Sequence, residues 1–489
     1  MAKRKTARRT SLQLAQSPEP HQADHVRGVF CNRTLNLRSI TAIGYDMDYT
    51  LVHYNVEQWE QLAYQHIKQK LVDQGWPLED LEFNHRAVVR GLIIDRELGN
   101  ILKANRFGYI KQARHGTWLM DHAVLRKVYG RTIIDLTEGR WVFLNTLFSL
   151  SEACMYGQLI DLLDRDEIPN VLTPRDLYDI IRTSLDETHM EGALKTEIVT
   201  NPDRYLRLDP DVPLTLLDQQ RAGKKLLLIT NSEWEYTRAM MEYAFDRFLP
   251  EGVAWRDLFH LVIVSARKPA FFSTDHPFFE VSGDDGLLRR VVGGPSPGGV
   301  FLGGNAAAVE HHLGISGDSI LYVGDHLFSD VHVTKNLLRW RTALIVPELE
   351  GELAATRSFA GDQGRLAALM KEKEQLELEQ NQARLLLQRK RKGYGPRPEE
   401  PAKDLELRVA RSRRKLIALD EKIRPLAEAA GEVSNTRWGL LMRAGNDKSH
   451  MARQIERHAD IYMSRVSNFM QCTPYAYFRS PRGSLPHDR

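Results

Sequence analysis

An α/β fold, with a mainly parallel sheet covered by helices on both faces, is what the apolar runs of this chain specify. Residues 40–45, 225–229, 261–264 and 320–324 are short, nearly continuous hydrophobic segments, the pattern of strands buried on both sides. Each stops at a polar cluster, and the intervals between them leave room for crossover helices. Open sheets of this kind bind ligands beyond the carboxyl ends of their strands.

The first cluster is Asp46-Met47-Asp48-Tyr49-Thr50. Side chains alternate along a strand, so Asp46 and Asp48 can face the same way at its end. Two crowded carboxylates repel unless a cation or a proton compensates, which suits a nucleophile and a proton carrier beside a metal. The second run ends in Thr230-Asn231-Ser232, whose hydroxyls, amide and N–H groups suit an anion at the start of a helix. The third leads to Lys268, a compact positive charge for phosphate oxygens. The fourth delivers Gly324-Asp325 and then Asp330, hard oxygen ligands that suit Mg²⁺. Each cluster alone is also an ordinary cap, turn or surface charge; together and in this order they specify chemistry.

The order Asp-x-Asp-x-Thr, Thr, Lys, Gly-Asp-x₄-Asp resembles that of the haloacid dehalogenase-like phosphohydrolases. The segments Asp46 to Leu51, Leu144-Asn145-Thr146-Leu147-Phe148, Arg182 to Lys195 and Gly324-Asp325-His326-Leu327-Phe328 resemble the cytosolic purine 5′-nucleotidase family, from about Val29 to Pro486-His487. The resemblance implies a Rossmann-like core, an inserted cap, Mg²⁺ and an aspartyl-phosphate intermediate. It assigns catalysis to Asp46, Asp48, Thr230 and Lys268. The ion falls to Asp46, Asp325 and the main-chain carbonyl of Asp48, with Asp330 behind them. It implies a substrate pocket of Asn145, Phe148, Arg182, Asp186, His189, Lys195, Asn231 and Ser232, in which Phe148 stacks on the base. Arg182 would satisfy a 6-oxo purine and face the donor of a 6-amino purine, so IMP and GMP are expected ahead of AMP. Met190 stands where the family commonly has tyrosine, which puts base preference in question. The same likeness implies a dimer or tetramer, phosphotransfer to a nucleoside, and a nucleotide effector such as ATP stacking on Phe328.

Thr50 and Thr230 lie 180 positions apart, far more than a crossover needs, so an insertion should cover the strand ends. The expected parts are a disordered basic arm (1–28), a core (29–110 and 206–350), a cap (111–205), a helical hairpin (351–432) and a C-terminal helical segment (433–489). Within the cap, residues 140–144 read as a strand, 147–163 as a helix, and Pro174 opens a helix that places Arg182, Asp186 and His189 on one face. Leu369, Leu376 and Ala383 form one stripe of the hairpin, and Val409, Leu416, Leu419, Ile423 and Leu426 the other, to pack on each other or on a second subunit. A last helix is expected over about 448–470, with His458, Asp460 and Tyr462 structural. Gly293 to Gly299 and Gly303-Gly304-Asn305 lack a following Gly-Lys-Ser/Thr and read as a turn and a helix cap.

Composition agrees with a folded enzyme: 489 residues with 42% hydrophobic content can fill two or three cores. A net charge of +3 gives no reason to expect a nucleic-acid binder. Cys31, Cys154 and Cys472 are widely spaced, against a disulfide framework or zinc site and in favour of a cytoplasmic protein. No run suits a membrane helix or signal peptide. The competing readings are a phosphatase of another phosphomonoester and a non-catalytic scaffold working through hairpin and arm.

Overall fold

The computed structural model describes residues 26–483 except 191, 284–285, 292–293, 397 and 482, and leaves out the side chains of 189 and 190. The basic arm up to residue 25, the side chain of His189, Met190, Gly293 and the terminal Pro486-His487 therefore lie outside the described residues.

Seven strands run parallel: β1 (Ala42–Tyr45), β2 (Lys225–Ile229), β3 (Leu261–Val264), β4 (Val300–Gly303), β5 (Ile320–Gly324), β6 (Arg341–Ile345) and β7 (Ile461–Met463). Their order across the sheet is β7-β6-β5-β1-β2-β3-β4, so the strand carrying Asp46 is central and the strands leading to Thr230 and Asp325 flank it. Antiparallel strands finish both edges: Val29–Cys31 pairs with β7, and the hairpin of Phe278–Ser282 and Leu287–Arg290 pairs with β4. β1, β2, β3 and β5 are apolar because layers cover both faces, and nearly every residue in them is buried. Gly44 is required in β1: a Cβ there would come within 2.8 Å of the Tyr322 ring on the neighbouring strand.

The insertion begins with α1 (Val56–Asp73), capped by the Asn55 side chain. It then builds a separate five-stranded antiparallel sheet from Ile93–Asp95, Asn100–Ala104, Ile110–His115, Trp118–Leu119 and Trp141–Phe143. The expected boundary at 110/111 falls at the start of the third of these strands, so the sheet extends the inserted layer back to Ile93. Only its last strand was legible. Ile110–His115 alternates poorly between apolar and polar residues, because Lys111, Gln112 and Arg114 interrupt it, and the period that marks a strand is blurred. α2 (Leu150–Leu163) and α3 (Pro174–Met190) follow where the sequence places them, α2 entered through a short turn of 3₁₀ helix at Leu147–Ser149.

α4 (Ala360–Lys392) and α5 (Ala402–Gly431) form the hairpin. Ala383, Leu405, Leu419 and Ile423 are buried between them, and Lys373 pairs with Asp420 at 2.7 Å. Leu378, Leu407 and Ile417 remain exposed. The Gly303-Gly304-Asn305 cap is present, with the Asn305 side chain accepting from Ala308 N–H. The preceding residues 300–303 form β4, which lies between the apolar runs read from the sequence.

The helix expected over 448–470 is not continuous. A short α6 (His450–His458) ends before Asp460, β7 enters the main sheet, and a 3₁₀ stretch follows at Val466–Gln471. Asp460 explains the break. Its buried carboxylate collects Lys335 at 2.6 Å, Arg341 at 2.9 Å and Arg33 at 3.6 Å, and accepts from Thr342 N–H. These contacts tie β7 to β6. Burial alone would raise that carboxyl, but Lys335 and Arg341 outweigh it and hold it below the usual range. Asp460→Ala should cost about 3–5 kcal/mol in urea unfolding at pH 7 by stranding the cations. A folded pKa below the unfolded value of about 3.9 gives stability that is present above that value and lost as pH falls through the folded pKa. The gap between variant and parent should therefore narrow in acid, and a constant gap would contradict the ion-pair account.

Candidate active site

Strand ends assemble the site. Asp46 leaves β1 and accepts from Met47 N–H on Oδ1, the atom that also meets Lys268 Nζ at 2.7 Å. Lys268 arrives on the loop after β3, where the Asn231 amide clamps it: Asn231 Nδ2 donates to Lys268 O, and Lys268 N–H donates to Asn231 Oδ1. Asn231 was expected at the substrate, but its side chain is committed to positioning Lys268. The Lys268-Pro269 peptide is cis. The ammonium also reaches Asp330 at 2.9 Å and the Tyr322 hydroxyl at 3.1 Å. Gly324 allows Asp330 to fold back, since a Cβ there would lie 2.5 Å from Asp330 Oδ2.

Oxygens of Asp46, Asp325 and Asp330 lie within 4.8 Å of one another, all three residues buried. Asp330, expected behind the ion-binding residues to orient a metal-bound water or Lys268, contacts Lys268 and lies in the same carboxylate cluster, its side chain returning over Gly324. Asp325 is held through two contacts that the sequence did not signal: Thr146 Oγ1 donates to Oδ2 at 3.3 Å, and the buried Arg90 donates from Nη1 to the main-chain oxygen. Arg90 sits in a loop with no motif around it. Three buried carboxylates against one lysine leave surplus negative charge, and the donors are all hard oxygens, a set that fits a divalent cation such as Mg²⁺. Without a cation, burial first and the neighbouring carboxylates second push Asp325 well above its ordinary value. Asp46 is pushed up to about 7 by burial, with Lys268 opposing and Asp330 adding to the rise. Burial would discharge Lys268, but Asp330 and Asp46 outweigh it and keep it protonated.

Asp48 stands apart from that trio. Tyr54 donates to Oδ1 at 2.5 Å and Ser232 to Oδ2 at 2.8 Å, and the Tyr236 hydroxyl lies 3.0 Å from that of Tyr54. Burial and then Asp46 raise its pKa. Ser232, expected at the substrate, thus holds Asp48. Thr230 is fully buried and accepts from Ser232 N–H, which fixes the turn.

The inserted layer brings its own groups. Phe148 packs edge-on against Tyr49 at 4.7 Å and Trp59 at 5.4 Å. Asn145 donates to Phe143 O, and its Oδ1 is buried with no hydrogen-bond partner. Arg182 pairs with the buried Glu152 and, one turn on, with Asp186, both at 3.0 Å. Burial first, then the charges of Lys268 and Arg90 and lastly that of Arg182, lower the His326 imidazole to about 4. Lys195 lies over the Tyr236 ring at 5.4 Å, and its charge opposes the rise at Asp48. Lys195 therefore lies on the Asp48 side of the site, although 149 positions separate it from Asp46, whereas Arg182 is engaged by Glu152 and Asp186.

The family model described as 5′ nucleotidase family matches residues 29–489. The chain belongs to the 5′ nucleotidase family. A 5′-nucleotidase domain-containing protein of Dictyostelium discoideum is 27% identical over 469 residues, covering 94% of this chain and 74% of its own. The human 5′-nucleotidase domain-containing protein 1 is 30% identical over 351 residues, 66% of this chain and 75% of its own. A solved structure of a predicted phosphoglycolate phosphatase from Haemophilus somnus is 14% identical, covers 63% of this chain and 86% of its own, and has a TM-score of 0.27. This member of the 5′ nucleotidase family is an enzyme whose carboxylate and lysine cluster lies at the switch point of its sheet. Among its described residues no helix is long and apolar enough to cross a membrane.

Gly324→Ala should displace Asp330 and lower stability by about 1–3 kcal/mol, as overpacking does. Thermal unfolding indistinguishable from the parent would mean that the close approach is not required.

Proposed function

We propose that this enzyme hydrolyses purine nucleoside 5′-monophosphates, IMP and GMP ahead of AMP, through a phosphoaspartate on Asp46. The observation that carries the reading is the pair of bonds to Asp46 Oδ1 from Lys268 and Met47 N–H, which orients the carboxylate and leaves Oδ2 to attack. Lys268 and Thr230 receive the 5′-phosphate. Asp46 Oδ2 bonds to phosphorus as the bond from phosphorus to the nucleoside 5′-oxygen breaks. Asp48, whose raised pKa favours the protonated form, gives its proton to that leaving oxygen. It then takes a proton from water, whose oxygen attacks phosphorus, releasing phosphate and restoring the Asp46 carboxylate. Tyr54 and Ser232 hold Asp48 in place through both half-reactions. Asp46, Asp325 and Asp330 with the Asp48 carbonyl would hold Mg²⁺, which would supply neutralising charge for the phosphate and the carboxylates.

Support for a purine comes from the inserted layer. Phe148 offers a ring face beside Tyr49, and Arg182, fixed by Glu152 and Asp186, satisfies a 6-oxo acceptor and repels a 6-amino donor. A nucleoside hydroxyl in place of water makes the same intermediate a phosphoryl donor. Homo-oligomeric assembly and a nucleotide effector stacking on Phe328 belong to the same reading; that ring packs edge-on against Phe143 at 5.8 Å.

Asp46→Asn should abolish phosphate release, by at least about a thousandfold, while the chain stays folded. With Mg²⁺, kcat/KM for IMP and GMP should exceed that for AMP and for ribose 5-phosphate by about tenfold or more; equal turnover of ribose 5-phosphate would remove the purine assignment.

The raised Asp46 pKa carries a sign. A carboxyl at about 7 when folded and about 3.9 when unfolded binds its proton more tightly in the native state, so cation-free stability falls as pH rises between those values. A cation that takes the proton's place reverses the loss. Mg²⁺ should therefore raise Tm more at pH 8 than at pH 6, and Asp325→Asn should flatten the difference. A shift independent of pH would sink the metal assignment.

A further inference from the structure

The net charge of +3 conceals a strong local asymmetry. Residues 383–415, the distal half of the helical hairpin with its turn, contain 12 lysines and arginines against 4 acidic residues, a surplus of eight, so all the rest of the chain together carries −5. The root of the same hairpin, residues 360–382 and 416–431, has the opposite bias, with 5 basic and 8 acidic residues. A segment this basic on an otherwise acidic molecule sets up a local positive field that the whole-chain charge does not reveal.

Little of that charge holds the hairpin together. Arg391 pairs with Glu406 and Arg408 with Glu400, the latter at 2.8 Å, and Lys390 donates to the main-chain carbonyls of Pro398 and Glu400. Arg384, Lys403, Arg411, Arg413, Arg414 and Lys415 are exposed and pair with no carboxylate among the described residues. Arg408, Arg411 and Lys415 follow at steps of three and four, and Arg411 and Arg414 at three, so like charges stand one above another along α5 and repel. Helices that use charge only to pair with each other match opposite signs across their seam, as Lys373 and Asp420 do at the root. The distal half departs from that rule, and a polyanion laid along it would relieve the repulsion.

Shape and composition select among polyanions. Ala402 to Lys415 extends about 20 Å at the helical rise, a length over which a duplex presents about a dozen phosphates. Four of the six unpaired cations are arginines, whose planar forks suit phosphate oxygens. Single strands are held through rows of stacked aromatic rings, and Tyr394 is the one aromatic residue of 383–415. A lipid surface asks for a broad apolar face beneath the cations, and the exposed large apolar side chains among the described residues here are Leu385, Tyr394 and Leu407. We propose that the distal half of the hairpin is a docking surface for double-stranded nucleic acid, which it holds by the phosphate backbone without reading base sequence. RNA and DNA duplexes offer the same backbone chemistry, and the test separates them. The surface is independent of which phosphate ester the carboxylate site hydrolyses.

The test follows the anisotropy of fluorescein-labelled RNA and DNA duplexes of about 20 base pairs as the enzyme is added. Affinity should fall on the order of a hundredfold between about 50 and 200 mM KCl, the mark of several phosphate contacts. The triple variant Arg411→Glu, Arg414→Glu, Lys415→Glu should lose at least about tenfold at the lower salt while melting no lower than the parent. The same charge change at the root, Arg365→Glu, Lys371→Glu, Lys422→Glu, should lose less than about threefold. Tighter binding of one duplex assigns the surface to RNA or to DNA, and equal binding assigns it to the backbone common to both. No binding of either duplex, equal loss in the two triple variants, or binding confined to phosphatidylserine vesicles overturns the proposal.

Discussion

The ammonium of Lys268 lies between Asp46 and Asp330, and the rest of the site is arranged so that this can happen in a buried place. A lysine at that depth loses its charge unless anions surround it, and a trio of carboxylates at that depth takes up protons unless cations do. Each side makes the other tolerable. The surrounding structure fixes the spacing: Asn231 grips the main chain of Lys268, Tyr322 braces its amine, and glycine at 324 clears the path by which Asp330 turns back. Separate strand ends converge because β1 lies in the middle of the sheet, with β2 and β5 on either side.

The inserted layer works differently. The core positions its groups through strand ends, whereas the insertion presents Arg182, Phe148 and Lys195 from helices and connecting turns. Arg182 is restrained by Glu152, whose buried carboxylate would itself be costly without that guanidinium. The inserted layer thus has an ion pair of its own, between the half-exposed Arg182 and the buried Glu152.

The sequence displayed the core plainly because its strands are hydrophobic on both faces and end in residue types that have few other reasons to be there. Asp46, Lys268 and Asp325 could each be picked out for that reason. What the sequence hid is of another kind. Arg90 and Thr146 act through single long-range bonds to Asp325, and nothing in their local pattern distinguishes them from solvated or capping residues. Asp330 carried a motif, but its depth depends on the backbone turn at Gly324. The strands from Ile93 to His115 are short and interrupted by charged residues. Asp460 read as one more polar residue of a helix, whereas its three cations make it the point at which the helix must stop.

The two ends of the described chain complete the sheet together. Val29–Cys31 pairs with β7 and β7 pairs with β6, so this edge of the sheet closes only when residues 461–463 are in place. Until then the flank of β6 is an open hydrogen-bonding edge, and such edges invite pairing with other chains. The strand that seals this border is contributed by a segment far along the chain, so any state of the protein in which that segment is detached exposes a template for association.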